Sequence, residues 1–222
     1  MQLATCCFIF DAACRHILFA RRIMDKFNII YADPPWAYRV WGRKCSGRSV
    51  ENHYSTMSLH DICALPVAEL ADKDCALFLW ATYPNLPAAF EVIKAWGFTY
   101  KTVAFTWVKW CKRSPGWFVG LGYWTRANAE ICLIATKGNP KRMSKRVRQI
   151  IDTPLEQHSK KPNEAKVRIV ELLGDIPRVE LFAREKTLGW AVWGNEVKSD
   201  ISMSRGMKLL SQDGGDIKKC SI

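Results

Sequence analysis

Short apolar runs alternate along the chain with stretches of helical period. Phe27–Ala32 (FNIIYA) is β-branched and apolar, and Asp33-Pro34-Pro35 stops it. That pattern predicts a buried strand running into a rigid loop. Cys75–Trp80 (CALFLW), Ala129–Thr136 (AEICLIAT) and Arg178–Phe182 (RVELF) read as further buried strands. Phe98–Val108 alternates as one strand or two, and Gly189–Trp193 as a short one. Ser58 can cap a helix through Leu65, and Asn85 starts one to about Trp96, with Pro87 in its first turn and Gly97 at its end. Asn163–Leu173 is amphipathic and helical, and Gly174-Asp175 turns the chain after it. Residues 37–57 and Lys109–Thr125 read as long loops, of the kind that carry function or stay disordered. Lys137–Arg148 holds six basic residues and no acid, a solvated loop or surface arm. From about Glu196 the periodicity is lost, as in a frayed tail. The fold class expected is α/β: a Rossmann-like, mostly parallel sheet with helices on both faces. Such sheets bind ligands beyond the carboxyl ends of their strands, where Asp33 would stand.

Composition narrows the class. The chain has 222 residues, 49% of them apolar, enough for one domain with a sizeable core. No apolar run approaches the ~18–20 residues that span a bilayer, so no membrane partner is expected. Lys and Arg number 33 against 21 Asp and Glu, a net charge of +12. A surplus of that size points to an anionic partner, and nucleic acid is the first candidate. The nine cysteines are odd in number and form no CxxC. Cys63, Cys75, Cys111 and Cys132 lie in or beside apolar runs, where free Cys acts as a small hydrophobe. A reducing, cytoplasmic setting without a disulfide framework or zinc site is expected. His16, His53, His60 and His158 lack metal-ligand spacing, and no GxGxxG follows a strand. Met1–Ile23 looks foreign to the rest, with three cysteines and an apolar run broken at Asp11. Met24 then reads as a natural start, with 1–23 an extension, 24–197 the folded domain and 198–222 a flexible tail. An ordinary N-terminal helix is the alternative.

The chemistry concentrates at Asp33-Pro34-Pro35-Trp36. An aromatic exocyclic amine is a poor nucleophile because its lone pair is delocalised into the ring. A catalyst must accept hydrogen bonds from both amine protons. An ionised carboxylate is acceptor-only. A proline carbonyl is fixed in direction by its neighbours, since a residue before proline is held out of helical geometry. Trp36 offers a flat face on which a base can stack. The alternative is a Pro-Pro strand stop followed by a core Trp.

With these residues the sequence resembles the MT-A70 family of N6-adenine methyltransferases. The resemblance runs from Asn28 to Val197, on YADPPW (31–36), YSTMS (54–58), LFLW (77–80), WGF (96–98) and WVK (107–109). EICLIATKG (130–138), HSKKP (158–162), VELFAR (179–184) and WGNE (193–196) continue it in order. The pattern is nearer to short bacterial and phage members than to the long eukaryotic ones. It implies a class I methyltransferase fold with permuted motif order, S-adenosylmethionine as cofactor, and DNA as a substrate more than RNA. It also implies that Asp33, Pro34, Pro35 and Trp36 grip the target amine and base. Cofactor contacts would come from Lys161, Arg184, Asn195 and Glu196, with Asn28 and Ile29 near the cofactor's adenine and Asp33 beside it. Asn128 and Glu130 match family positions near the acceptor base. Where eukaryotic members carry Pro-His-Asn, this chain has Glu185-Lys186-Thr187.

On the substrate side, Arg39, Arg43 and Lys44 follow Trp36, and Lys109, Lys112 and Arg113 are interleaved with Trp107, Trp110, Trp117 and Phe118. Basic residues neutralise phosphates and aromatics stack on exposed bases. Tyr54 and Trp124 are candidates to line a base pocket, whereas Trp80 and Trp96 read as core. An amine inside a duplex is out of reach, so the enzyme would act on a single strand or flip its base out. Three alternatives stay open: the same chemistry on RNA, a non-catalytic nucleic-acid-binding subunit, and work as a homodimer or with a partner subunit.

Overall fold

The computed structural model describes residues 26–37, 56–112, 114–122, 124–155 and 160–203. The expected extension at Met1–Ile23 lies outside these residues, as do Arg39, Arg43, Lys44, Tyr54, Arg113 and everything past residue 203.

The chain begins with β1 (Phe27–Ala32), then the short helices α1 (Leu59–Ala64) and α2 (Val67–Leu70). There follow β2 (Ala71–Ala81), α3 (Leu86–Ala95), β3 (Thr99–Trp110), β4 (Glu130–Lys137) and β5 (Ile150–Pro154). Helix α4 (Asn163–Leu173), β6 (Arg178–Leu181) and β7 (Ala191–Trp193) complete it. One seven-stranded sheet has the order β5-β3-β4-β2-β1-β6-β7. β1 is parallel to β2 and β6, β6 to β7, and β3 to β5. Only β4 is reversed, antiparallel to both β2 and β3. This is the mostly parallel Rossmann-like sheet that the alternation of elements predicts.

Neighbouring residues on a strand face opposite sides of the sheet. Ile30, Ala32, Leu77 and Leu79 therefore join one core with Ile62 of α1, Val67 of α2, and Ala89, Val92 and Ile93 of α3. Ile29, Tyr31, Ala76 and Phe78 join the other with Ala165, Ile169 and Leu173 of α4. Both faces are covered, which is why the central strands read as continuous apolar runs rather than alternating ones. Leu77 and Leu79 are completely buried. Truncating either to Ala is expected to cost about 2–5 kcal/mol.

Sequence and structure agree most closely at β1 and α4. Ser58 caps α1 by accepting the Asp61 N–H at 3.1 Å. Trp96 is completely buried and donates to the Ile62 carbonyl at 2.9 Å, so it is core as expected. Phe98–Val108 becomes one strand with two register shifts, and it runs on to Trp110. Lys109 is thus in a strand, not at the start of a loop. Strand β5 was not expected, nor was α2. The segment after Glu196 stays attached: Asp200 accepts the Val192 N–H at 3.1 Å, and Met203 is buried in the first core.

Candidate active site

Strand register decides which ends meet. Ala32 lies opposite Leu79 on one side and Leu181 on the other, and Leu181 lies opposite Trp193. The residues just past β1, β6 and β7 therefore share one edge: Asp33, Arg184, and Asn195 with Glu196. The chain leaves β1 toward β2 on one side and returns to β6 on the other. That divergence opens a crevice beyond the carboxyl ends of β1 and β6. Reversal of β4 brings its first residue to the same edge, because Glu130 pairs with Trp107 near the carboxyl end of β3. Lys109 follows two residues on. Lys161 arrives just before α4, whose first residue is Asn163.

These side chains form an alternating row of charge. Lys109 contacts Glu130, Glu130 reaches Lys161 at 3.1 Å, and Lys161 meets Asp33 at 2.8 Å. Lys161 keeps 10% of its side-chain surface and Asp33 27%, so Asp33 is the open end of the row. Two buried indoles lie under it. The Lys161 ammonium stands 5.7 Å from the Trp80 ring and that of Lys109 5.0 Å from Trp107. The two rings meet edge to face at 6.4 Å. Trp80 donates to the Tyr31 hydroxyl at 2.7 Å, which fixes the floor.

Burial pushes the Asp33 carboxyl above the usual aspartate range, with Lys161 opposing it. Burial works the same way on Glu130, but there Lys161 and Lys109 outweigh it and hold the group low. Burial would lower Lys161, yet Asp33 and Glu130 overcome that and hold it above the ordinary lysine range. Two adjacent carboxylates are thus driven apart in basicity, with Asp33 the more basic.

The Asp-Pro-Pro-Trp segment is tightly built. The Pro34 carbonyl accepts the Trp36 N–H at 2.8 Å, and that of Pro35 accepts the Met57 N–H at 3.0 Å. A carbonyl has two lone pairs, so Pro34 keeps one for a further donor. Trp36 retains only 7% of its surface, and its indole N–H donates to the Trp80 carbonyl at 3.0 Å. In this structure it is a buried brace under the loop, not the open stacking face expected.

Past β6 the chain turns sharply. Phe182 has φ 61, the left-handed region that a non-glycine residue enters at a cost of about 1–2 kcal/mol. Its ring packs against Trp193 at 5.4 Å, which holds the turn in place. At Gly194 a Cβ would stand 2.1 Å from the Ala183 carbonyl oxygen, so only glycine lets these two segments touch. Arg184 and Glu196 face each other across that contact at 3.8 Å, and Asn195 between Gly194 and Glu196 is exposed.

Several expected site residues are placed elsewhere. Asn28 sits near the amino end of β1 and donates to Asp72 at 3.2 Å and to the Asp74 carbonyl at 3.1 Å. At about 3.3 Å per residue it is some 17 Å along the strand from Asp33. Ile29 is completely buried in the second core. Neither can touch a ligand in the crevice. Asn128 is consumed by the backbone: it accepts the Lys109 N–H at 2.9 Å and donates to the carbonyls of Lys109 (2.9 Å) and Phe118 (2.6 Å). It clips the loop after β3 to that strand. Lys109 is buried against Glu130 and is no surface phosphate contact. Trp107 is core. Lys112 is exposed on the loop after β3, Trp117 is largely exposed, and Trp124 keeps 97% of its surface.

The family model for MT-A70 matches residues 27–196, from the first residue of β1 to Glu196 beyond β7. The chain belongs to the MT-A70 family. It is 32% identical over 197 residues to the Type II methyltransferase M.MunI of Mycoplasma sp, covering 81% of this chain and 82% of that protein. It is 28% identical over 194 residues to an N(6)-adenosine-methyltransferase MT-A70-like protein of Arabidopsis thaliana. It is also 28% identical over 195 residues to the human N(6)-adenosine-methyltransferase catalytic subunit METTL3. Those alignments cover 86% of this chain but only 26% and 30% of the two relatives. This MT-A70 chain is therefore a methyltransferase whose match spans most of one relative and under a third of the others. Among its described residues no helix is long and apolar enough to cross a membrane. Sequence reasoning missed Phe182, whose left-handed turn leaves no trace in residue type, and it missed the buried pairing of Lys109.

Proposed function

We propose that this protein transfers a methyl group from S-adenosylmethionine to the exocyclic N6 amine of adenine in DNA. The observation that carries the reading is the Asp33 carboxylate, placed at the crevice beyond β1 and β6 and raised in basicity by burial.

The donor chemistry at the crevice fits the cofactor. Arg184, Asn195 and Glu196 converge past β6 and β7, and an amide with an acid suits the two hydroxyls of a ribose. Lys161 carries the charge to meet a carboxylate. It holds two carboxylates already, so a bound methionine end would join or displace one of them. The cofactor supplies a methyl group on a sulfonium sulfur; transfer breaks that S–C bond, forms an N–C bond and releases one amine proton. Asp33 accepts one amine N–H, and the remaining lone pair on the Pro34 carbonyl accepts the other. Nitrogen density then turns out of the ring plane toward the methyl group. Both acceptors are fixed beforehand, by Lys161 and by Trp36, so they need no rearrangement during reaction. The raised basicity of Asp33 suits it to take the departing proton. Lys112, Trp117 and Trp124 stand on the loop beside this edge, where cations and exposed rings can hold an extruded nucleotide.

DNA is favoured by likeness to short prokaryotic members and by the relative of matching length. RNA is the second reading, favoured by the relatives named as adenosine methyltransferases. The test incubates the protein with S-adenosylmethionine and duplex DNA, single-stranded DNA or RNA, then quantifies N6-methyladenine nucleosides by mass spectrometry, with Asp33→Ala as control. Methylated DNA, lost in the control, supports the reading. Methylation confined to RNA overturns the substrate but keeps the chemistry. No methylation of any polymer favours a non-catalytic or partner-dependent subunit.

A further inference from the structure

The largest run of positive charge lies away from the crevice. Strand β4 starts at Glu130 in the site and ends at Lys137, so the arm that follows begins about 23 Å from Glu130, at ~3.3 Å per residue. Within it Lys141, Arg142, Lys145, Arg146 and Arg148 are all exposed. Among the described residues none of the five is ion-paired, in contrast to Lys109, Lys161 and Lys166.

A loop that merely solvates charge has no need to be held, and this one is held along its length. At Gly138 (φ +63) a Cβ would lie 2.1 Å from the Lys73 carbonyl oxygen, and the next N–H, from Asn139, donates to Asp74 at 2.7 Å. Met143 and Ser144 N–H groups donate to the Leu172 carbonyl at 2.8 and 3.3 Å, so the arm caps the end of α4. Arg168 of α4 donates to the carbonyls of Arg148 (2.7 Å) and Ile150 (2.6 Å). Gln149 donates to the Val103 carbonyl at 2.6 Å, and Thr106 N–H to the Gln149 carbonyl at 3.0 Å. The backbone of the arm is held by these bonds, and its cations are exposed.

The course of the arm matters as much as its charge. It leaves the far edge at Lys137 and returns at Ile150, which pairs with Thr106 partway along β3. Arg148 thus stands between the far edge and the carboxyl end of β3, where Lys112 and Trp117 follow. The same flank carries exposed Lys101 on β3. The cations form a track that leads along the β3–β5 side of the sheet toward the crevice.

We propose that residues 137–148 are a second phosphate-binding surface, which holds the nucleic-acid backbone along a course that starts about 23 Å from Glu130 at Lys137 and closes toward the crevice edge at Arg148. The inference rests on the proposed nucleic-acid substrate. A duplex rises ~3.4 Å per base pair, so about seven base pairs separate Glu130 from the start of the arm. The arm gives affinity and orientation without reading sequence, because phosphate contacts carry none.

The test compares wild type with Lys145→Gln/Arg146→Gln and with the quadruple variant that adds Lys141→Gln and Arg142→Gln. Lys94→Gln/Lys198→Gln removes the same charge as the double variant from exposed sites elsewhere. Dissociation constants are measured against salt for DNA and RNA probes of about 24 nucleotides and for hexamers, which are too short to span both contacts. Melting temperatures verify folding, and methylation is scored in the same samples. On long duplex the slope of log K against log salt should fall by about 2 for the double variant and nearly 4 for the quadruple, at ~0.9 per phosphate. The control and every hexamer slope should stay near wild type. An unchanged slope on long probes, or an equal fall in the control, overturns the arm, and the methylation readout then stands or falls separately. A lowered slope in a protein that methylates nothing keeps the arm and overturns the enzymatic reading. A wild type that binds no polymer overturns both.

Discussion

Strand β4 joins two regions that treat charge differently. At its first residue Glu130 lies between Lys109 and Lys161, and Lys161 also holds Asp33. Every charge there has an opposite neighbour; burial raises the basicity of Asp33, while Lys161 and Lys109 hold Glu130 low. Past its last residue the cations of the arm are exposed, and no carboxylate among the described residues pairs with them. The first region can change the protonation of one group for chemistry. The second can only attract. Net charge counts both alike, yet buried pairs add nothing to a long-range field while exposed, unpaired cations supply it.

The contrast is broken most forcefully at Lys161. Replacing it by Met takes the ammonium from Asp33 and leaves that carboxylate beside Glu130, which keeps Lys109, and removing one partner of a buried pair costs roughly 3–5 kcal/mol. Urea unfolding at neutral pH should show a loss of that order; a loss under 1 kcal/mol would mean that the row is solvated and not buried.

Next comes the pH profile. In the role proposed for it Asp33 is ionised to accept the amine protons, and its basicity is raised, so the acid limb of methyl transfer should lie above the usual aspartate value of ~4. Glu130→Gln removes an anion that raises Asp33, and its limb should move to lower pH. Lys161→Met, assayed at saturating cofactor, removes a cation that lowers Asp33, and its limb should move to higher pH. Rate profiles that shift in the same direction in both variants would show that Asp33 does not set the limb.

Gly194→Ala forces a Cβ onto the Ala183 carbonyl and should cost ~1–3 kcal/mol, with cofactor affinity falling alongside. Thermal unfolding and calorimetric titration check the two effects. The smallest effect belongs to the arm: Lys145→Gln/Arg146→Gln should change stability by no more than about 0.5 kcal/mol, because nothing buried depends on those side chains. A larger loss on melting would make the arm structural.

Local pattern was legible where one element decided the outcome. FNIIYA followed by Asp-Pro-Pro located β1 and the crevice-facing Asp33, and the caps of α1 and the period of α4 were equally plain. What failed depended on neighbours. Lys109 looks like loop because basic and aromatic residues alternate around it, but pairing with β4 and β5 draws it into β3. β5 is too short and polar to stand out, and exists because the β3 edge accepts it. Asn28 and Ile29 are close to Asp33 in sequence, but an extended strand turns five residues into some 17 Å. The side of the sheet on which the arm lies follows from the reversed direction of β4, which no residue pattern announces.

The decisive experiment compares wild type with Asp33→Asn, which keeps the shape of the side chain and removes its charge. Methyl transfer from S-adenosylmethionine to an adenine-containing oligonucleotide is followed at saturating cofactor, with nucleic-acid binding measured in the same samples. The structure predicts that transfer falls by about a thousandfold, in the range for loss of a positioned catalytic group, while binding changes by only a few fold. Transfer near the wild-type rate in the Asn variant, or a methyl group found anywhere but N6, would contradict the role assigned to Asp33.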